Sequence, residues 1–140
     1  MKTLPVDDGV AASNPIAGQL SLAINEQHNL ITVVGCGLWS SEYVEAHIKK
    51  FELILMRARQ NVRPLRTLVD LRDAAVQTPK VAAMLHQAMS QMYVPPERAA
   101  LLVKSNLVAM QMKRGFNPAT HGVFLSEQAA EAWLHPAGMG

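Results

Sequence analysis

The spacing of apolar positions changes several times along the chain. From Gln19 to Ile24 it alternates, with Leu20, Leu22 and Ile24 on one side, and Leu30 to Val34 is a β-branched run. With polar Asn25 to Asn29 between them, these segments predict a hairpin of two strands. Gly35-Cys36-Gly37 is expected to break the second strand. Ser40 or Ser41 can then cap a helix whose first turn carries Glu42 and Glu45, charges that suit the positive end of its dipole. Val44, Ile48, Phe51, Leu55 and Ala58 recur at helical spacing, and the pattern stops near Asn61 as the chain approaches Pro64.

Leu65 to Leu71 reads as a buried strand around Leu68-Val69 and ends in Asp70, Arg72 and Asp73. Thr78-Pro79 predicts a helix start, because threonine can accept from free amides while proline at the first position loses no needed donor. Val81, Leu85, Ala88 and Met92 form its stripe, and Pro95-Pro96 stops it. Ala99 to Val103 is a third apolar run, followed by Ser105 or Asn106 as the cap of a short helix that Lys113, Arg114 and Gly115 close. Gly122 to Leu125 makes a last strand, and Ser126 caps a helix through Trp133-Leu134.

The predicted order is β-β-α-β-α-β-α-β-α, an α/β fold with a mixed sheet. A helix separates each pair of strands after the hairpin, which makes those strands parallel and covers the sheet with helices. Residues 1–18 mix proline, glycine and polar residues without a period and are expected to form a flexible leader; residues 19–135 form one domain, and 136–140 a loose tail. Ligands and switches in such sheets tend to lie beyond the carboxyl ends of the strands. Those ends carry Cys36, the group Asp70, Arg72 and Asp73, and Lys104 with Ser105.

At 140 residues, 49% of them hydrophobic and 17% charged, the chain is long and apolar enough to fold as one unit. Its 13 basic and 11 acidic residues leave a formal charge of +2, which argues against a dedicated nucleic-acid binder. One cysteine, no apolar run long enough to span a membrane and no signal-peptide pattern point to a soluble protein of the reducing cytoplasm. The eight methionines are either core filler or the lining of an adaptable pocket.

Each chemical candidate has a plainer counterpart. Gly35-Cys36-Gly37-Leu38-Trp39-Ser40 is the start of a dinucleotide loop or only a tight turn; the third glycine is absent, and no acid ends a strand about 20 residues on. Cys36 is a thiol activated by a helix start or a small buried residue. The histidines at 28, 47, 86, 121 and 135 have no metal spacing, so no metal and no cofactor is expected, and no serine elbow marks a hydrolase. Arg57, Arg59, Arg63 and Arg66 either meet anions or complement a helix C-terminus. Asp70, Arg72 and Asp73 present charge to a partner or pair with one another. Thr78 caps its helix, and a phosphate added there would also be favoured by the dipole.

Four segments resemble bacterial STAS-like proteins of the SpoIIAA-like family: Gly37 to Tyr43, Leu68 to Ala74, Arg98 to Ser105 and Ala129 to Leu134. The resemblance spans about residues 19–134. It implies a STAS-like sheet and one of two roles: a partner-binding switch controlled by phosphorylation, or a lipid carrier similar to CRAL-TRIO proteins. Where the switch proteins carry Asp-Ser-Ser-Gly, this chain has Gln77-Thr78-Pro79-Lys80, with Thr78 the only hydroxyl. The leading expectation is a non-catalytic regulatory domain that binds a protein partner through Asp70, Arg72, Asp73 and Thr78. The alternative is a small apolar ligand held near Cys36, Trp39, Met84 and Met110, under a cover that includes Met89, Met92 and Met112. An apolar helix face would also suit a homodimer.

Overall fold

The computed structural model describes residues 18–25, 27, 30–61 and 64–136, together with the backbone of 3–6. In chain order the elements are β1 (Thr3–Val6), β2 (Gln19–Asn25), β3 (Leu30–Gly37), α1 (Ser41–Asn61), β4 (Arg66–Ala74), α2 (Pro79–Met92), β5 (Arg98–Leu102), α3 (Asn106–Lys113), β6 (His121–Phe124) and α4 (Glu127–Leu134). They form a mixed sheet of six strands in the order β1-β2-β3-β4-β5-β6. The first three strands are antiparallel, and each later strand runs parallel to its predecessor.

This is the α/β architecture that the periodicities predict, with one addition. The expected leader over 1–18 is corrected at Thr3–Val6, which pairs with Asn25 to Leu22 of β2. Pro5 argues against a strand when read locally. At the edge of a sheet, however, a proline need not deprive a neighbour of a hydrogen bond. Residues 7–17 of the expected leader and 137–140 of the tail lie outside the described residues. The strand break expected at Gly35-Cys36-Gly37 is also corrected. β3 continues through it, pairing Cys36 with Asp73 and Gly37 with Ala74 after a bulge between Val34 and Cys36.

Parallel strands laid down in sequence by crossovers of one hand keep every crossing helix on the same face. Accordingly α1, α2 and α3 share one face of the sheet, packed over Leu20, Leu22, Ile31, Val33, Val69 and Leu101. Alternate strand residues point the other way. Leu68, Ala100 and Leu102 meet Ala130 and Leu134 of α4 on the opposite face.

Two arginines fasten α4. Arg66, only 7% exposed, donates from Nε to the Leu134 carbonyl at 2.7 Å and from Nη1 to Leu65 and Pro96 at 3.0 and 2.7 Å. Arg98 bonds the Trp133 carbonyl, and its guanidinium lies 4.9 Å from the centre of the Trp133 ring. Both cations therefore serve carbonyls at the negative end of the α4 dipole. Burial, and secondarily Arg98, pulls the Arg66 pKa below the ordinary guanidinium value. An arginine nonetheless stays protonated in a protein.

The expected basic cluster is dispersed by this arrangement. Arg59 is held by Glu97 in a two-nitrogen contact at 2.7 and 3.0 Å and also bonds the Met92 carbonyl, while Arg66 is beneath α4. Arg63 lies outside the described residues. No helix among the described residues is long and apolar enough to cross a membrane.

Candidate functional site

The residues first suspected of forming a switch are tied together at the end of β4. Arg72 donates from Nε and Nη2 to the two carboxylate oxygens of Asp70 at 2.9 and 2.7 Å, and its Nη2 lies 3.5 Å from Glu127 of α4. The Arg72 hydrogen bond holds the Asp70 carboxyl below the usual carboxylate range, against the opposing effect of burial. Asp73 is exposed. Thr78 is the N-cap of α2, accepting from the Val81 amide at 3.3 Å. Asp70 and Arg72 thus form a local ion pair, and Thr78 makes its bond within its own helix.

Gln77 does the connecting work. Its Oε1 accepts from the Trp39 amide at 2.9 Å, and its Nε2 donates to Gly37 and Ala75 carbonyls at 2.9 and 2.7 Å. The side-chain amide therefore bridges the turn after β3 and the loop after β4. Trp39 is buried, and its indole nitrogen donates to carbonyls of Gln19 and Cys36 at 3.2 and 3.0 Å. Its ring fits only because Gly35 and Gly18 lack side chains: an added Cβ would lie 2.8 and 2.6 Å from ring carbons.

Behind this bridge is a partly open cavity of about 700 Å³ between the sheet and the three helices. Val33, Val69 and Leu71 contribute from the sheet, Phe51 and Ile48 from α1, Met89 and Met92 from α2, and Val108 and Met112 from α3. Trp39 and Gln77 also line it. The exposed lining residues Ala75, Val76, Ala82, Ala83, Lys104 and Ser105 mark its mouth, beyond the carboxyl ends of β4 and β5. Val76 is 91% exposed there.

The sequence-based pocket residues separate. Trp39 lines the cavity, whereas Met84 lines a more open groove of about 420 Å³ between α1 and α2. Met110 is 62% exposed on α3, and Cys36 is exposed; neither lines the cavity. The exposure of Cys36 corrects the reading of a buried residue between glycines. Gln77 was missed as a site residue, because its partners are as many as 40 positions away. The available signal was its place beside Thr78-Pro79: a polar residue just before a helix start has neighbouring turns within reach.

A stack of rings closes one side. His86 and Phe116 line the cavity with centroids 4.4 Å apart, and His121 stacks on Phe116 at 4.6 Å from behind. The Thr120 hydroxyl hydrogen-bonds the Asn117 carbonyl at 3.2 Å, and Nδ1 of His121 lies 2.8 Å from that hydroxyl. Nε2 is buried and has no hydrogen-bond partner at ordinary geometry.

Burial pulls the His121 pKa below its ordinary 6.5; the Met89 backbone opposes this and His86 adds to it. The unfolded chain then takes up a proton at a higher pH than the folded one. Stability is complete above the ordinary value and is lost as pH falls through the folded value. Thermal unfolding between about pH 7 and 5 is expected to show this loss, with a shallower slope in His121→Phe. An unchanged slope would exclude His121 as its source.

No protein-family model matches the sequence, and no curated protein matches it. Among the described residues no group of histidine, cysteine and carboxylate side chains is placed to hold a metal. A solved structure does match: the crystal structure of an uncharacterized DUF3478-family protein from Shewanella loihica PV-4, described as having a SpoIIAA-like fold. The TM-score is 0.57 at 15% identity, covering 84% of this chain and 94% of that chain. The fold of this protein is SpoIIAA-like.

Proposed function

We propose that this chain is a non-catalytic binding domain that holds a small apolar molecule in the cavity between the sheet and α1, α2 and α3. The observation that carries this reading is the cavity itself. Its volume of about 700 Å³ falls within the range of about 300–1,000 Å³ common for small-molecule sites, and its walls are aliphatic, thioether and aromatic. A site of this kind binds by removing apolar surface from water, with a few polar groups at the rim to set orientation. Methionines at 89, 92 and 112 suit a guest of irregular shape.

Val108→Trp tests the reading, because Val108 is half-buried on α3 and its replacement projects into the same space. An apolar fluorescent probe is expected to bind the native protein and to bind the variant at least about tenfold more weakly, with the thermal transition retained. Equal binding to both folded proteins would place the probe elsewhere.

The regulatory reading has one observation in its favour: Ala75, Val76 and Gln77, immediately before Thr78, rim the cavity mouth. A guest would touch the loop that the SpoIIAA resemblance assigns to a protein partner, so occupancy would be sensed there. Under this second reading, hydrogen exchange in residues 75–78 slows when the probe binds. Exchange unaffected by the probe would separate the loop from the cavity.

A further inference from the structure

The charges around the cavity are one-sided. Among the described residues no aspartate or glutamate lines it, whereas Arg72 and Lys104 do. Arg72 is already engaged by Asp70 and Glu127. Lys104 has no ion pair and no hydrogen bond among the described residues. It stands at the mouth, exposed, directly before Ser105, which caps α3.

A molecule whose body fills the apolar interior must keep any charged group near the rim, since burial of an unpaired charge in such walls is strongly unfavourable. At this rim it meets the unpaired ammonium and, beside it, the positive end of the α3 dipole. Two other polar side chains of the lining are occupied differently. Nε2 of His86 donates to the Arg114 carbonyl at 3.2 Å, and Gln77 bridges two loops.

Resting on the cavity reading, we infer that the guest is an amphiphile with a compact anionic head group, carboxylate or phosphate, seated at Lys104. Lysine presents a point charge and three rotatable donors, so it accepts either head group without the fork geometry that arginine imposes. The chemistry common to both is one apolar chain ending in a small anion.

Isothermal titration with dodecanoate, dodecyl phosphate and dodecan-1-ol separates the possibilities. At low ionic strength at least one of the anions is expected to bind about tenfold tighter than the alcohol, and the tighter of the two identifies the head group. Added salt should narrow that preference, because the head group sits at an exposed rim. Lys104→Gln should reduce it to near unity, and Lys104→Glu should reverse it. The exposed position of Lys104 keeps both substitutions clear of the core. Equal binding of all three ligands, or a preference that survives Lys104→Gln, overturns the head-group assignment and leaves the cavity reading in place. Binding by none of the three overturns both.

Discussion

Trp39→Ala is expected to destabilise the protein by about 3–5 kcal/mol, as for other buried aromatic truncations. At this chain length that corresponds to a fall in Tm of roughly 10 °C or more. The residue is 4% exposed, and its indole nitrogen serves two carbonyls. Removal would open space against Gly18 and Gly35 and leave those carbonyls without a shared donor. Trp39→Phe keeps most of the ring and loses the donor, so its cost should be nearer 1–3 kcal/mol, about that of leaving buried acceptors unsatisfied. Denaturant unfolding of the two variants checks the order. A cost below about 1 kcal/mol for Trp39→Ala would show that this wall of the cavity collapses freely and is not held rigid.

Arg66→Met is expected to cost about 3 kcal/mol. Methionine replaces the apolar stem but none of the bonds to Leu134, Pro96 and Leu65, each a charged-donor hydrogen bond. Arg66→Lys should recover only part of the loss, because one ammonium cannot reproduce the guanidinium fork. The consequence should be local before it is global. With the α4 C-terminus unfastened, Trp133 gains water contact, so its emission should shift to the red in Arg66→Met at denaturant concentrations below the main transition. A coincident shift and transition would mean that α4 does not loosen independently.

The strands and helices from Gln19 onward were legible because their signals are local. Leu20, Leu22 and Ile24 alternate, and serines and a threonine stand where caps were expected: Thr78, Ser105 and Ser126 each accept from an amide three residues on. Of the residues at the carboxyl ends of the strands, Lys104 and Ser105 stand at the cavity mouth. What the sequence did not disclose depends on pairing at a distance. Thr3–Val6 becomes a strand only because β2 offers an edge to it. Arg66 looked like one of four surface cations, yet its role is fixed by α4, which begins about 60 residues later. Asp70 and Arg72 were legible as a charged group, but not their mutual bidentate geometry, which makes them a local ion pair. Methionine periodicity likewise could not separate Met89 and Met112, which line the cavity, from Met110, which faces water.

The sequential strand order bears on how the chain reaches this state. Every strand after the first pairs with its predecessor in the chain. The sheet can therefore grow by adding one helix and strand at a time, without first closing a long loop around an unformed centre. The last helix is the exception in packing, since it turns to the opposite face and rests on β4, β5 and β6. If its contacts form after the main barrier, weakening them at Arg66 speeds unfolding and leaves the folding rate nearly unchanged. The face that encloses the cavity can thus assemble before the other face is covered.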